Sequence, residues 1–171
     1  MFRFKCGSCD DWHEGMPALA CQVPDVLLRV HPEERAERVL LSSDLAVLDE
    51  KQFFIRVCMD TPIQDSGEFF NWGFWVEVSE ADFVHYIKAD ESNETCAPFS
   101  GTLANALPFY EESLGVPVLV RPQEEGLRPL AEPTDERSDF ARQFRIGMPL
   151  KTAHEYIALV LHPGMGSASV H

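Results

Sequence analysis

Residues 69–83 constrain the fold more than any other part of the chain. They read Phe-Phe-Asn-Trp-Gly-Phe-Trp-Val-Glu-Val-Ser-Glu-Ala-Asp-Phe and hold six of the fifteen Phe and Trp residues. Aromatic and β-branched residues favour strands, so the first ten residues of the stretch predict a strand. Ser79 suits a helix N-cap, with Asp82 in a capping-box-like position, and this helix is expected to run to about Asp90. The stretch therefore predicts the centre of a hydrophobic core.

The segments around this stretch predict an α+β fold. A β-rich segment at 53–59 precedes a turn at 64–67, so it is expected to pair with the strand at 69–78. Other strands are expected at 2–6, 45–48, 114–120 and 127–131, and helices at 32–41, 135–145 (capped by Thr134) and 150–161. Strands joined by hairpins and followed by helices favour an antiparallel sheet with the helices packed on one side.

The predicted organisation is a single α+β domain. It covers residues 1–163, begins with a mostly irregular, zinc-knuckle-like loop at 2–24, and is followed by a disordered tail at 164–171. A chain of 171 residues, 45% of them hydrophobic, is long enough to bury a sizeable core.

The charge of the chain limits its partners. A net charge of −14 weighs against nucleic acid and anionic membranes, because both attract basic surfaces. The charge permits a basic protein partner, although solubility alone also explains it. No apolar run has the length of a membrane span, and the N-terminus lacks the apolar core of a signal peptide. We therefore expect a cytoplasmic protein whose five cysteines are reduced or bind metal. The sequence does not predict an oligomeric state.

Cys6-x-x-Cys9 followed by His13 is the sharpest chemical signal. Such a turn places two thiolates on one side of a loop, where both can bind Zn²⁺, and His13 is close enough to join them. Cys21 is the nearest candidate for a fourth ligand, with Cys58 or an aspartate behind it. Two alternatives remain: ordinary reduced thiols, and a redox pair. The redox pair is less favoured because no long helix follows to lower a thiol pKa.

Two arginine–proline pairs and two tryptophans are candidate contact residues. Arg121-Pro122 and Arg128-Pro129 flank one turn, so their guanidinium groups would face a shared anion if the strands pair. The alternative, which we favour, is separate surface ion pairs with the plentiful acids. Trp72 and Trp75 are three residues apart and point to opposite faces of a strand, so one is expected in the core. The other is expected to be exposed as a partner contact, and Trp72 is our candidate for it.

The ordered motifs together resemble a bacterial family, domain of unknown function 2199. The resemblance covers about residues 2–162 and rests on Phe4-Lys-Cys-x-x-Cys9 with His13, Glu34-Arg-Ala-Glu-Arg38, Ser43-Asp-Leu45, Phe53-Phe-Ile-Arg56, Phe70-Asn-Trp-Gly-Phe-Trp-Val76, Ser79-Glu80, Phe83, Arg121-Pro122, Arg128-Pro129 and Glu132-Pro-Thr-Asp135.

The resemblance implies no activity, but it implies that Cys6, Cys9 and His13 form one unit. The chain departs from the family pattern at three positions: Asp10 replaces a usual Gly, Ala46 a common Cys, and Glu136 a frequent His. If that Cys or His supplies a fourth ligand in other members, this chain lacks it.

Two functions follow from these observations. The first is a soluble, non-enzymatic binding or accessory protein with a structural zinc site, one version of which neutralises a basic protein partner. The sequence holds no recognisable catalytic motif, which favours this function and gives no catalytic residues. The second is a metal-dependent, hydrolase-like enzyme in which zinc held by the N-terminal Cys/His cluster keeps a position open for water.

Overall fold

The computed structural model of the chain describes residues 3–5, 9, 11–15, 18–124 and 126–161. Its strands are β1 Arg3–Lys5, β2 Trp12–Glu14, β3 Ala18–Ala20, β4 Val39–Leu41, β5 Leu45–Leu48, β6 Gln52–Pro62, β7 Phe69–Val78, β8 Phe99–Leu103, β9 Pro117–Arg121 and β10 Leu130–Pro133. Its α-helices are α1 Asp25–Leu28, α2 Arg35–Arg38, α3 Glu80–Ser92, α4 Asp139–Ile146 and α5 Leu150–Leu161, and short 3-10 turns lie at Pro32–Glu34 and Glu111–Ser113.

Five strands pair in a closed ring. Around the ring, β7 pairs with β8, β8 with β9, β9 with β10, β10 with β6, and β6 again with β7. The β7–β8, β8–β9 and β9–β10 pairs are antiparallel, whereas β10 runs parallel to β6. Strand β3 extends the sheet beside β7, and β5 and β4 extend it beside β6. The fold is therefore a closed, mixed β-barrel with additional strands and helices.

The predicted open, antiparallel sheet with helices on one side is wrong. The ring closes where Leu130 pairs in parallel with Cys58, whose backbone N–H donates to the Pro129 carbonyl at 2.8 Å. These segments are far apart in the chain, so no local sequence pattern encodes their pairing. The predicted order of hairpins describes neighbours along the chain and misses this closing contact.

Both tryptophans of β7 pack against helices. Trp72 meets Tyr156 of α5 edge-to-face, with ring centroids 4.9 Å apart. Trp75 points to the opposite face and packs in a cluster that includes Leu27 of α1. Each tryptophan packs within its own cluster, and neither has any exposed surface.

The predicted centre of the chain is confirmed. Strands β6 and β7 pair as expected, and Ser79 caps α3 by accepting a hydrogen bond from the Asp82 backbone N–H at 3.1 Å. Helix α3 ends at Ser92, and Asn93 follows in the left-handed conformation with φ of 53°.

The predicted helix at 32–41 is only partly correct. It ends at Arg38, because residues 39–41 form β4, in which Val39 pairs with Leu48 and Leu41 with Ala46. Hydrogen bonds to a neighbouring strand outweigh the helix signal of the preceding acids and arginines. The loop predicted at 10–24 likewise contains strands β2 and β3, which pair with β1 and β7.

The first of the two predicted C-terminal helices begins later than expected. The Ser138 hydroxyl accepts a hydrogen bond from the Ala141 backbone N–H at 3.0 Å, as a cap does. Thr134, the predicted cap, instead donates its hydroxyl to the Pro117 carbonyl at 3.3 Å. Thr134 thus extends the β9–β10 ladder instead of starting α4.

The chain divides into two compact units. The first comprises the described parts of residues 1–19, 60–72 and 143–171, and the second comprises residues 20–59 and 73–142, apart from residue 125. In the first unit, the Phe70 ring lies 4.4 Å from that of Trp72 and 5.5 Å from that of Tyr156. In the second, one core cluster contains Leu27, Val30, Ala46, Leu48, Phe54, Trp75 and Ala104. The single domain over 1–163 stays a prediction, and the predicted tail lies outside the described residues.

Candidate functional site

Strands β1 and β2 form a hairpin that carries the predicted metal ligands. Arg3 pairs with Glu14 across the hairpin, with Arg3 Nε 3.2 Å from Glu14 Oε1. The Arg3 guanidinium carbon also lies 4.7 Å from the centre of the Trp12 ring, within the range of a cation–π contact. The contacts of Arg3 with Glu14 and Trp12 therefore join the two strands, which the Cys-x-x-Cys segment connects along the chain.

Cys9 and His13 meet beside this connection. Cys9 Sγ lies 3.2 Å from His13 Nε2, and both side chains are half-buried. Tetrahedral zinc, with a Zn–S bond of about 2.3 Å and a Zn–N bond of about 2.0 Å, separates its sulfur and nitrogen ligands by about 3.5 Å. An S–H···N hydrogen bond fits the same contact. The geometry thus brings together two of the four predicted ligands at a separation close to that of a zinc site.

The other two predicted ligands contribute differently. Cys6 lies outside the described residues. Cys21 belongs to the second unit and packs against the core cluster that contains Trp75. Burial, helped by Asp25 and opposed by Arg56, raises the pKa of the Cys21 thiol to about 11. A raised pKa disfavours the thiolate that zinc requires, so the surroundings of Cys21 are unfavourable for a ligand.

Within residues 3–5, 9, 11–15, 18–124 and 126–161, no group of three or more His, Cys, Asp and Glu side chains is arranged to hold a metal. The donor pair of Cys9 and His13 fits zinc chemically, and the motif needs Cys6 as its third ligand. Ala46, where a cysteine is common in the family pattern, is buried in the core cluster of the second unit.

The two arginine–proline pairs form separate ion pairs, as the favoured alternative predicted. Arg121 donates to Glu132 Oε1 through both Nε and Nη2, at 2.8 and 2.6 Å. Arg128 Nε donates to Asp44 Oδ1 at 2.5 Å. Burial raises the Asp44 pKa, but hydrogen bonds from Ser43 and Arg128 outweigh it and lower that pKa below its usual range. Each guanidinium therefore has its own carboxylate, and the two do not share an anion.

Trp72 is not an exposed contact. Its side chain is fully buried, and its Nε1 donates to the equally buried hydroxyl of Thr61 at 2.9 Å. The expectation that one of the two tryptophans is exposed is wrong, because Trp72 packs against Tyr156 and Trp75 packs in the core cluster of the second unit.

Sequence reasoning missed Arg56, a cation in the middle of an apolar strand. Its Nη1 donates to the Ser43 carbonyl at 3.3 Å, and its guanidinium carbon lies 5.9 Å from the centre of the Trp75 ring. Its Nε is buried without a hydrogen-bond partner among the described residues. The signal was available, because one arginine interrupts the β-rich segment at 53–59.

Sequence reasoning also missed a groove of about 870 Å³ in the second unit. One wall is the C-terminal end of α3 and the segment that follows it, with Asp90, Glu94 and Cys96. The other wall is the turn between β9 and β10, with Glu124 and Leu127. We call this feature the α3 groove.

Negative charge and burial set the electrostatics of the α3 groove. Tyr86 lies in its lining, and burial, reinforced by Asp90 and Asp44, raises the pKa of the phenol to about 12. Burial, reinforced by Asp82, also raises the pKa of the Cys96 thiol. Tyr86 and Cys96 are therefore neutral at pH 7, and the charges of the lining come from its carboxylates and Arg121.

Comparison with known proteins identifies one family. A family model described as "uncharacterized protein conserved in bacteria (DUF2199)" matches residues 5–148. No curated protein and no solved structure matches the chain. The family match confirms the resemblance drawn from the ordered motifs.

In the described part of the chain, no helix combines the length and apolar character needed to cross a membrane.

Proposed function

We propose a non-enzymatic binding or accessory function for this chain, which belongs to the DUF2199 family of uncharacterized bacterial proteins. In this proposal, the N-terminal hairpin carries a structural zinc site. The observation that carries the proposal is the 3.2 Å contact between Cys9 Sγ and His13 Nε2.

A structural role suits the place of this contact. The hairpin is short, because β1 and β2 have three residues each, and isolated two-stranded hairpins are at best marginally stable. Zinc bound by Cys6, Cys9, His13 and the fourth ligand that a structural site needs would add its binding free energy to the stability of this segment. The ion pair between Arg3 and Glu14 is exposed, and such pairs contribute about 0–1 kcal/mol, so it cannot replace the metal.

The charge supports a basic protein as the partner. A net charge of −14 attracts a positively charged protein and speeds its association. An inhibitor or immunity protein that neutralises a basic partner is one concrete form of this function. We place this function in the cytoplasm, where cysteines stay reduced and available to zinc.

Metal analysis tests the zinc site. Protein purified without a histidine tag is expected to contain one zinc ion per chain by elemental analysis. Cys6→Ser, Cys9→Ser and His13→Ala are expected to lose it, whereas Cys96→Ser, a cysteine in the α3 groove, is the matched control and should retain it. Wild-type protein without metal, with the thiols of Cys6 and Cys9 freely reactive toward a thiol reagent, would refute the zinc site.

Affinity isolation tests the binding function. The chain is used as bait in a lysate of the bacterium that encodes it, and each captured protein is then purified and titrated directly. We expect a basic protein whose affinity falls as salt rises, because salt screens the attraction. Absence of any direct binder, together with turnover of a substrate by the zinc-loaded protein, would replace this proposal with a metal-dependent enzyme.

A further inference from the structure

We propose that the α3 groove binds a basic peptide segment of the partner, with an arginine or lysine between its carboxylates and an apolar side chain against Leu127. This inference rests on the proposed function, because it assigns the basic partner a binding site. It adds the place of contact and the chemistry of the bound segment.

The carboxylates of the groove are available to a cation. Asp90, Glu94 and Glu124 line it, and among residues 18–124 and 126–161 none of the three has an ion-pair partner. The lining also contains Arg121, but two hydrogen bonds commit that guanidinium to Glu132. The groove therefore keeps a negative potential that its own residues do not neutralise.

The end of α3 increases this potential. A helix C-terminus carries a partial negative charge, so it favours cations and disfavours acids. Helix α3 has 13 residues, no basic residue in its last turn, Asp90 in that turn, and Glu94 just beyond it. These acids lie where they weaken the isolated helix slightly, and a guanidinium or ammonium from a partner would relieve that repulsion.

The opposite wall supplies apolar surface. Leu127 is 59% exposed and Leu130 is 38% exposed, and both line the groove. Exposed leucines beside carboxylates fit a segment that alternates basic and apolar residues better than a free metal ion, which needs no apolar contact. A volume of about 870 Å³ is also large enough for several side chains.

A second copy of this chain is a poor occupant. Two chains that each carry −14 repel one another, and each would bring further carboxylates to a groove whose own cation, Arg121, is already paired with Glu132. The same charge weighs against nucleic acid. A basic protein segment is the occupant that matches both walls.

Fluorescence anisotropy with a labelled peptide tests the inference. The probe is Gly-Ser-Arg-Leu-Lys-Arg-Ser-Gly, and a second peptide replaces its Leu with Ser. The double variant Asp90→Asn with Glu94→Gln is expected to weaken binding about tenfold, a loss of about 1.4 kcal/mol. The matched control is Glu37→Gln with Glu111→Gln, which removes the same charge from exposed positions outside both the groove lining and α3 and should change the Kd less than about twofold.

Leu127→Ser tests the apolar wall without changing the charge. Wild-type protein should prefer the Leu peptide over the Ser peptide, and this variant should lose the preference while its circular dichroism stays unchanged. Equal weakening by the two double variants, or no binding of the Leu peptide to wild-type protein, would overturn the groove proposal. Neither result would affect the metal analysis or the capture of a basic partner, so the two proposals fail separately.

Discussion

Replacing Asn105 with alanine is expected to destabilise the protein by about 3–5 kcal/mol. Asn105 is 2% exposed, and its side-chain amide makes three hydrogen bonds. Its Oδ1 accepts from the Trp75 backbone N–H at 2.9 Å, and its Nδ2 donates to the Val23 carbonyl at 2.9 Å and to Asp25 Oδ1 at 2.8 Å. This one amide therefore ties the segment before α1 to the centre of β7.

The magnitude follows from the groups that alanine would leave unpaired. A buried donor or acceptor without a partner costs about 1–3 kcal/mol, and the buried Trp75 N–H and the part-buried Val23 carbonyl would both lose theirs. The bond to the Asp25 carboxylate contributes less, because Asp25 is partly exposed and water can replace the amide. Asp25 Oδ2 also keeps its hydrogen bond from the Ala106 backbone N–H at 2.7 Å.

Urea denaturation, followed by tryptophan fluorescence and circular dichroism, measures the loss. Asn71→Ala is the matched control, because the Asn71 amide donates to Asp60 at 2.6 Å in an exposed position and its loss should cost less than about 1 kcal/mol. If Asn105→Ala cost no more than the control, with an unchanged dependence on urea, the amide would not hold these segments together.

Asn105→Asp separates the acceptor from the donors. The introduced carboxylate can still accept from the Trp75 N–H, but at neutral pH it offers no donor to Val23 and repels Asp25. We expect it to be at least as destabilising as alanine at pH 7. It should recover part of the loss toward about pH 4, where a protonated carboxyl regains one donor.

Three further outcomes follow from the contacts. Ser79→Ala should cost about 1 kcal/mol of unfolding free energy in urea, because α3 loses its N-cap, and no loss would mean that the cap is dispensable. Trp72→Phe should cost about 1–3 kcal/mol by leaving the buried Thr61 hydroxyl without its donor. Adding Thr61→Val should cost less than the sum of the single changes, and strict additivity would contradict the hydrogen bond. The lowered pKa of Asp44 contributes stability that is present above the ordinary carboxyl pKa of about 4 and is lost as pH falls through the lowered value, so urea stability should fall in acid. Arg128→Gln should reduce that loss, and an unchanged acid profile would show that the ion pair does not shift the pKa.

The local structure of this chain could be predicted where neighbouring residues decide it. The aromatic run before Ser79 predicted a buried strand and a capped helix, and both are present. The polar residues between β5 and β6 favour a turn, and Asp49 and Glu50 both adopt a φ of 53° there. Turns and caps are encoded over three or four residues, so a single sequence is enough to find them.

Long-range pairing decided the features that were missed. Val39–Leu41 looked helical because acids and arginines precede it, yet backbone pairing with β5 makes it a strand. The parallel contact of Leu130 with Cys58 has no local signal, so the closed ring could not be foreseen. The same applies to Trp72, whose burial depends on Tyr156, a residue of a distant helix.

The candidate site was predicted in part. The spacing of Cys9 and His13 indicated their proximity, because only three residues separate them in the chain. The α3 groove needed the fold, since its walls come from separate segments. One signal of it was nevertheless present: residues 90–94 hold three acids at the end of a predicted helix, where a cation is expected.

The parallel closure also governs how a growing chain must fold. One edge of β6 is shared, since β5 covers residues 52–55 and β10 covers Cys58. During synthesis β5, β6 and β7 emerge well before β10, so the end of that edge stays uncovered while the ribosome adds the intervening residues. Uncovered strand edges pair readily with other chains. A ribosome stalled before Leu130 would therefore carry a nascent chain prone to aggregation. Once β10 is synthesised, its pairing with β6 at Cys58 covers this edge.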